Sequence, residues 1–393
     1  MRTIPAKTVY IDPDVQRREN CRARLERVLP HVACEDIREY DAEARAVYQA
    51  VSHRRHGKDD FGDDAILVFT PFEPERAGWY YHLRDASNGR QRHGGTCQTA
   101  LELNLVAGCV FRCAYCGFGR AIHFSLDVER FMAGLPDVFR RFPAQRLYKY
   151  SNMTDLPPFE PELDAVPPMV RRFARETDRY LMLFTKSDNV DFLLDLDPAG
   201  HTIISWSLTC DTASRLIDKR AASLAERIEA MRRAQEAGYV VRARLSPIVP
   251  VRNWRREHEE LFAELFAKTQ PDVVTLELLG WFDFEDLGRI IDPDLLDPAF
   301  YAAAEAAADR LRGIGWAPFP EEQHQAVYRF CIDTVKRLSP ETPVAVCHGT
   351  DATWAALGAR IGMAPGGYVC NCGPGCAPGG ALYDRLHAPR GAG

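Results

Sequence analysis

Long apolar runs are missing from this 393-residue chain, and so is any strong excess of one charge. No stretch approaches the roughly 20 apolar residues that a membrane-spanning helix needs. The opening residues, MRTIPAKTVYIDPDVQRREN, contain no apolar core of the kind a secretory signal carries. These absences predict a cytoplasmic protein with no membrane partner. Lys plus Arg number 49 against 55 Asp plus Glu, for a formal net charge of -6. Bulk electrostatics therefore give no reason to bind nucleic acid, which leaves only a local basic groove for that role. Disorder is excluded as well, because 46% hydrophobic and 26% charged content in a chain of this length buries a large core.

Cysteine, by contrast, is plentiful. The 12 cysteines fall in tight clusters instead of spreading as a disulfide framework would, and metal or iron–sulfur binding is the reading that fits.

Periodicity predicts an α/β fold. Residues 1–96 read as a small α/β unit with a strand at Thr8 to Ile11, a helix from about Val15 to Val28 and a strand at Ala65 to Phe69; the charged stretch VSHRRHGKDDFGDD between them reads as a solvated loop. From residue 97 to 284, six β-like runs (LELNLVAG, LYKYSN, YLMLFTKS, TIISWSLT, VVRARLSPIVP and VVTLELLG) alternate with amphipathic segments such as VERFMAGLPDVFRRF, SLAERIEAMRRAQEAG and REHEELFAELFAK. Repeated strand–helix units imply a parallel sheet, and six of them suit a partial (β/α)6 TIM-like barrel, with an open doubly wound sheet as the alternative. Residues 285–393 read as a C-terminal extension: helices near Pro298 to Gly313 and Glu321 to Leu338, a short strand TPVAVCHG, and a tail rich in Gly, Pro and Cys.

Cys109, Cys113 and Cys116 form C-x3-C-x2-C in GCVFRCAYCGFG, just after the first barrel strand. A loop at the C-terminal end of such a strand can wrap a [4Fe–4S] cluster so that three thiolates meet three irons and the fourth iron stays open. An open iron can chelate S-adenosylmethionine (SAM), whose reductive cleavage yields methionine and a 5′-deoxyadenosyl radical. A zinc site or buried thiols are the plainer readings, but zinc usually takes paired cysteines with a fourth ligand nearby.

The order of landmarks from about Lys7 to Gly280 (KTVYIDPDVQ, GCVFRCAYC, SNMTD, LFTKSDNVDFLLD, ISWSLTCD, DKRAASLAERIEAMRRAQEAGY and RLSPIVP) resembles the spore photoproduct lyase branch of the radical SAM enzymes. The resemblance implies that Tyr115 packs near the adenine, that Thr154, Asp155, Lys186 and Ser207 contact SAM from strand ends, and that Ser246 contributes mainly backbone. It also implies a cysteine two residues before the hydroxyl of the SNMTD-like segment, as hydrogen-atom donor to the product radical. That position is Asn152, whose amide is no such donor, and this departure from the family's pattern speaks against thymine-dimer repair in DNA.

Cys347, Cys370, Cys372 and Cys376 lie outside those landmarks. Four thiols within thirty residues, three of them in a glycine-rich loop, suit a second [4Fe–4S] cluster, with tetrahedral zinc and a redox thiol pair as rivals; Cys97 and Cys331 are replacement ligands. Cys21, Cys34 and Cys210 read as ordinary small buried residues.

The expected function is thus a radical SAM enzyme, of lyase or decarboxylase type, acting on a small polar substrate such as a nucleoside or sugar acid in a biosynthetic pathway. Flavodoxin or ferredoxin is the expected reductant. Arg242, Arg244 and Glu277 are the candidate substrate contacts, because a carboxylate substrate suits an arginine clamp. A DNA pyrimidine-photolesion lyase is the second reading, and a non-catalytic iron–sulfur or zinc protein the third.

Overall fold

The computed structural model describes residues 1–52, 65–84, 95–118, 121–362 and 369–378. Most of the charged stretch predicted as a solvated loop lies outside these described residues.

Fifteen strands form among the described residues: β1 (Ile4–Pro5), β2 (Thr8–Ile11), β3 (Val32–Ala33), β4 (Asp36–Glu39), β5 (Ile66–Thr70), β6 (Tyr81–Arg84), β7 (Ala100–Leu103), β8 (Val106–Ala107), β9 (Ala121–Ser125), β10 (Leu147–Tyr150), β11 (Tyr180–Thr185), β12 (Thr202–Ser207), β13 (Val240–Ile248), β14 (Val274–Leu278) and β15 (Val344–Val346). The main sheet runs β15-β14-β13-β12-β11-β10-β7-β6, parallel throughout except for the antiparallel β6–β7 edge. Its strands are almost continuously buried, as TIISWS and VTLEL are, because elements cover both faces of a parallel sheet.

The six predicted strand regions all contribute to this sheet, and two further strands extend it. TPVAVCHG supplies β15, which bonds to β14, and YHLR supplies β6, too short and polar to be read as a strand. Among the described residues the end strands β15 and β6 do not pair, so this sheet is open.

A second sheet has the order β4-β2-β5-β9-β8. It takes β8 and β9 from beyond residue 96, while β7, just before them, belongs to the main sheet. Phe69 stacks on Phe124 at 4.9 Å, and Phe124 meets Phe159 edge-on at 4.9 Å, carrying one hydrophobic core across the junction.

The covering helices follow their apolar spacing. Helix Leu224–Glu236 opens on a Ser223/Glu226 capping box and buries Leu224, Ile228 and Met231 along one face. The predicted Val15 to Val28 helix is two, Pro13–Arg17 and Glu19–Val28, interrupted at an extended Arg18 whose guanidinium holds Asp127 at 2.8 Å. VERFMAGLPDVFRRF likewise divides into Val128–Ala133 and Leu135–Arg141, since Pro136 lacks the amide a continuous helix would need. Among the described residues no helix is long and apolar enough to cross a membrane.

Candidate active site and a second cysteine group

Cys109, Cys113 and Cys116 sit on the segment between β8 and β9. It begins at Gly108, whose φ of 93° suits glycine and where an added Cβ would overlap the Ala121 carbonyl. One side is stitched to the end of β10: the Gly108 amide donates to the Met153 carbonyl at 3.1 Å, and the Thr154 hydroxyl donates to the Gly108 carbonyl. The other side is strapped to residues 217–220, with Ala114 N donating to Ile217 O at 3.1 Å and Arg220 N to Phe111 O at 3.4 Å. Within the loop, Cys116 N donates to Cys113 O at 2.9 Å. Burial pushes all three thiols up, and the nearby Asp155 carboxylate raises Cys109 further.

A buried charge network lies beside the loop. Asp218 accepts from Lys186 Nζ at 2.7 Å, Thr209 Oγ1 at 2.8 Å, Arg227 Nη1 at 2.9 Å and the Tyr115 hydroxyl. Burial alone would raise its carboxyl, yet the Lys186 and Arg227 charges hold it well below the usual carboxylate range. Lys186 Nζ also donates to the Tyr115 hydroxyl at 2.6 Å. Tyr115 is thus tied to the Asp218–Lys186 pair.

Asp155 accepts from Thr185 Oγ1 at 2.8 Å and from the Lys186 amide at 2.6 Å, while burial pushes its carboxyl up to about 7. The Ser207 carbonyl accepts from Arg227 Nη1 at 3.1 Å, and the Ser246 hydroxyl donates to Glu277. Thr154, Asp155, Lys186 and Tyr115 are therefore gathered around the thiol loop. Ser246 faces a different group.

That other group lies along the inner face of the main sheet. Glu277 accepts from Arg244 Nη2 at 3.1 Å and from Trp281 Nε1 at 2.9 Å, and His348 Nδ1 lies 3.0 Å away. Burial would raise Glu277, but His348 and Arg244 hold it well below the ordinary range. Glu102 collects Asn152 Nδ2 at 3.0 Å, Arg84 Nε at 3.3 Å and Lys149 Nζ at 3.5 Å. Asn152 and Arg244 line one cavity of about 150 Å3, together with Cys97, Cys347, Cys370 and Cys372.

Arg242 is placed differently: fully buried, it bonds to Asp272 at 2.8 Å and to the carbonyls of Cys370 and Cys376 at 2.9 and 3.0 Å. It clamps the cysteine-rich loop and is shielded from solvent. Cys376 is buried, its sulfur accepting the Cys370 amide at 3.2 Å. Cys331 is buried inside helix Glu321–Leu338, and Cys21 and Cys210 are core residues, whereas Cys34 is half-buried.

Residues that the sequence reading did not assign include Asp218, Arg227, Glu102, Trp281 and His348. Asp218 and Arg227 lie within the landmark DKRAASLAERIEAMRRAQEAGY, which was the available signal.

The site is thus a mostly parallel sheet with three cysteines on one loop strapped to residues that follow its strands. The family model described as "Spore photoproduct lyase" matches residues 97–285, just under half of the chain. The spore photoproduct lyase of Clostridium acetobutylicum is 22% identical over 186 residues, 46% of this chain; the chain spans about half, 55%, of the length of that curated relative. A solved spore photoproduct lyase mutant superposes with a TM-score of 0.65 at 16% identity, over 89% of this chain and 100% of that one. Another mutant, solved with bound AdoMet and dinucleoside spore photoproduct, gives 0.62 at 17% identity over the same shares. The chain is similar to the spore photoproduct lyases, a radical SAM branch, and shares their fold.

Proposed function

We propose that the chain is a SAM-cleaving radical enzyme of the spore photoproduct lyase type, acting on a pyrimidine lesion of dinucleoside size. The observation that carries this reading is the thiol loop of Cys109, Cys113 and Cys116, strapped on one side to Met153 and Thr154 and on the other to residues 217–220. The donor set fits a [4Fe–4S] cluster: Cys109, Cys113 and Cys116 are buried or half-buried free thiols carried on one short loop. When bound there, such a cluster with an open iron would hold SAM and pass it the electron that releases a 5′-deoxyadenosyl radical.

The chain's own residues bind and orient. Lys186, already aimed by Asp218 and Tyr115, offers an ammonium to the methionine carboxylate of SAM, and Asp155 offers a carboxylate to hydroxyl groups. Gly117 and Met153 border a cavity of about 420 Å3 that also presents Tyr48, Trp79, Phe118 and Arg76. Aromatic faces with one guanidinium suit stacked bases and a phosphate, and the volume is that of a small-molecule site. A flavodoxin or ferredoxin supplies the electron in this reading.

Asn152 favours a second reading. Without a thiol at that position, a substrate radical that loses CO2, as in decarboxylation of a nucleoside or sugar acid, would end by giving its unpaired electron to an oxidant such as an oxidised iron–sulfur centre, with no hydrogen atom returned. Incubating anaerobically reconstituted protein with dithionite, SAM and dinucleoside spore photoproduct separates the two. Loss of the lesion with formation of 5′-deoxyadenosine is expected. 5′-Deoxyadenosine with the lesion intact supports the second reading, and neither change defeats both.

A further inference from the structure

Four thiols from three distant stretches of chain border the 150 Å3 cavity: Cys97, Cys347, Cys370 and Cys372. The backbone is built to bring them together. Thr96 N donates to Gly349 O at 2.8 Å, and a Cβ at Gly95 would overlap the His348 carbonyl, which packs the Cys97 segment tightly on the Cys347 segment. The Cys370–Cys376 loop is anchored from below by Arg242 on the Cys370 carbonyl, by Asn371 Nδ2 on Thr275 Oγ1 at 3.0 Å, and by Arg146 N on Pro374 O at 2.9 Å. A Cβ at Gly373 would overlap the Gln98 side chain, whose Nε2 lies 3.5 Å from Cys370 Sγ.

The charges around these sulfurs are those a metal–thiolate centre needs. Arg84 reaches two of them with one guanidinium, Nη1 to Cys97 Sγ at 3.0 Å and Nη2 to Cys372 Sγ at 3.1 Å. Lys149 and Arg244 also border the cavity, and His348 Nδ1 sits 3.1 Å from Cys347 Sγ. N–H donors and cations directed at sulfur stabilise thiolates and tune the centre they bind.

We propose that Cys97, Cys347, Cys370 and Cys372 ligate a second [4Fe–4S] cluster, separate from the one assigned to the thiol loop. Cavity size selects a cluster over a single ion. One water needs only about 10–15 Å3, whereas four thiolates around zinc close directly on the metal. The rival mononuclear set is Glu277, Cys347 and His348, whose donor atoms lie within 4.8 Å of one another; its carboxylate is already engaged by Arg244 and Trp281. Cys376, which bonds to the Cys370 amide from behind, is a supporting residue and not a ligand.

The test removes the first site. The triple variant Cys109→Ala, Cys113→Ala, Cys116→Ala, reconstituted without oxygen, is expected to keep about four irons and four sulfides per chain, with a paramagnetic signal after dithionite. Adding Cys97→Ala and Cys372→Ala abolishes both, whereas adding Cys376→Ala to the triple variant leaves iron in place. Zinc in the triple variant, or no iron and sulfide above background, overturns the proposal. If that variant does not fold, the unaltered chain decides: about eight irons support the second cluster and about four overturn it. SAM cleavage is not part of the readout, so a chain with two clusters and no SAM cleavage would sink the enzymatic reading alone.

Discussion

Asp218 is fully buried against two cations, and the site's charge balance turns on it. Replacing it by asparagine leaves the Arg227 guanidinium buried without a counter-charge and loosens Lys186 and Tyr115. Breaking one partner of such a pair costs about 3–5 kcal/mol. Asp218→Asn is therefore expected to lower unfolding free energy by about that much in a denaturant titration, with weakened SAM binding; a change below about 1 kcal/mol would contradict the network's role.

His123 makes a pH prediction. It is fully buried, its Nε2 lies 2.8 Å from Thr70 Oγ1, and burial, with the Arg76 and Arg45 charges, lowers its pKa to about 3. The unfolded chain then binds a proton at this histidine below about pH 6.5 that the folded chain refuses, so stability is present above that pH and is lost as pH falls toward 3. From about pH 7 to about pH 5 the expected loss from this group is about 2 kcal/mol, and His123→Gln should flatten that part of the profile. Identical profiles would show that His123 does not titrate in this way.

Residue-scale groupings are legible in the sequence where they are local. Cys109, Cys113 and Cys116 lie within eight residues, so their spacing alone suggested a shared ligand. Asp218 meets Lys186 and Tyr115 across 32 and 103 residues, and no local pattern encodes that meeting.

At the scale of elements, the thiol loop depends on the turn at Gly108. Gly108→Ala places a side chain against the Ala121 carbonyl at a φ that disfavours it. The expected result is a chain that retains its secondary structure by circular dichroism but binds at least several-fold less iron at the thiol loop. Full iron loading would contradict the fit argued for that loop. The strands of the main sheet were readable because burial on both faces leaves apolar runs such as YLMLFT, while β6 and β4 were not, since YHLR and DIRE are short and polar. Breaks at Arg18 and Pro136 divided helices whose periodicity ran on without interruption.

For the whole molecule, the notable arrangement is that the C-terminal loop closes over the inner face of the sheet. Arg242, expected from sequence to contact substrate, bonds there to Asp272 and to two carbonyls of that loop. Arg242→Met is accordingly expected to cost about 3–5 kcal/mol of stability and to release the loop, read as a fall in melting temperature. A variant with unchanged stability and a raised KM would restore the substrate role. Sequence could not show this placement, because Arg242 and Cys376 stand 134 residues apart. Sequence offered Cys97 and Cys331 alike as replacement ligands, and only the fold separates them: Cys97 borders the cavity with Cys347, Cys370 and Cys372.

The most direct test is the formation of 5′-deoxyadenosine. Protein reconstituted with iron and sulfide under strict anaerobiosis, then given dithionite and SAM, should yield 5′-deoxyadenosine and methionine, and Cys113→Ala should yield neither. Reconstituted protein that binds zinc at those three thiols, or that carries the cluster yet leaves SAM uncleaved, would contradict the account.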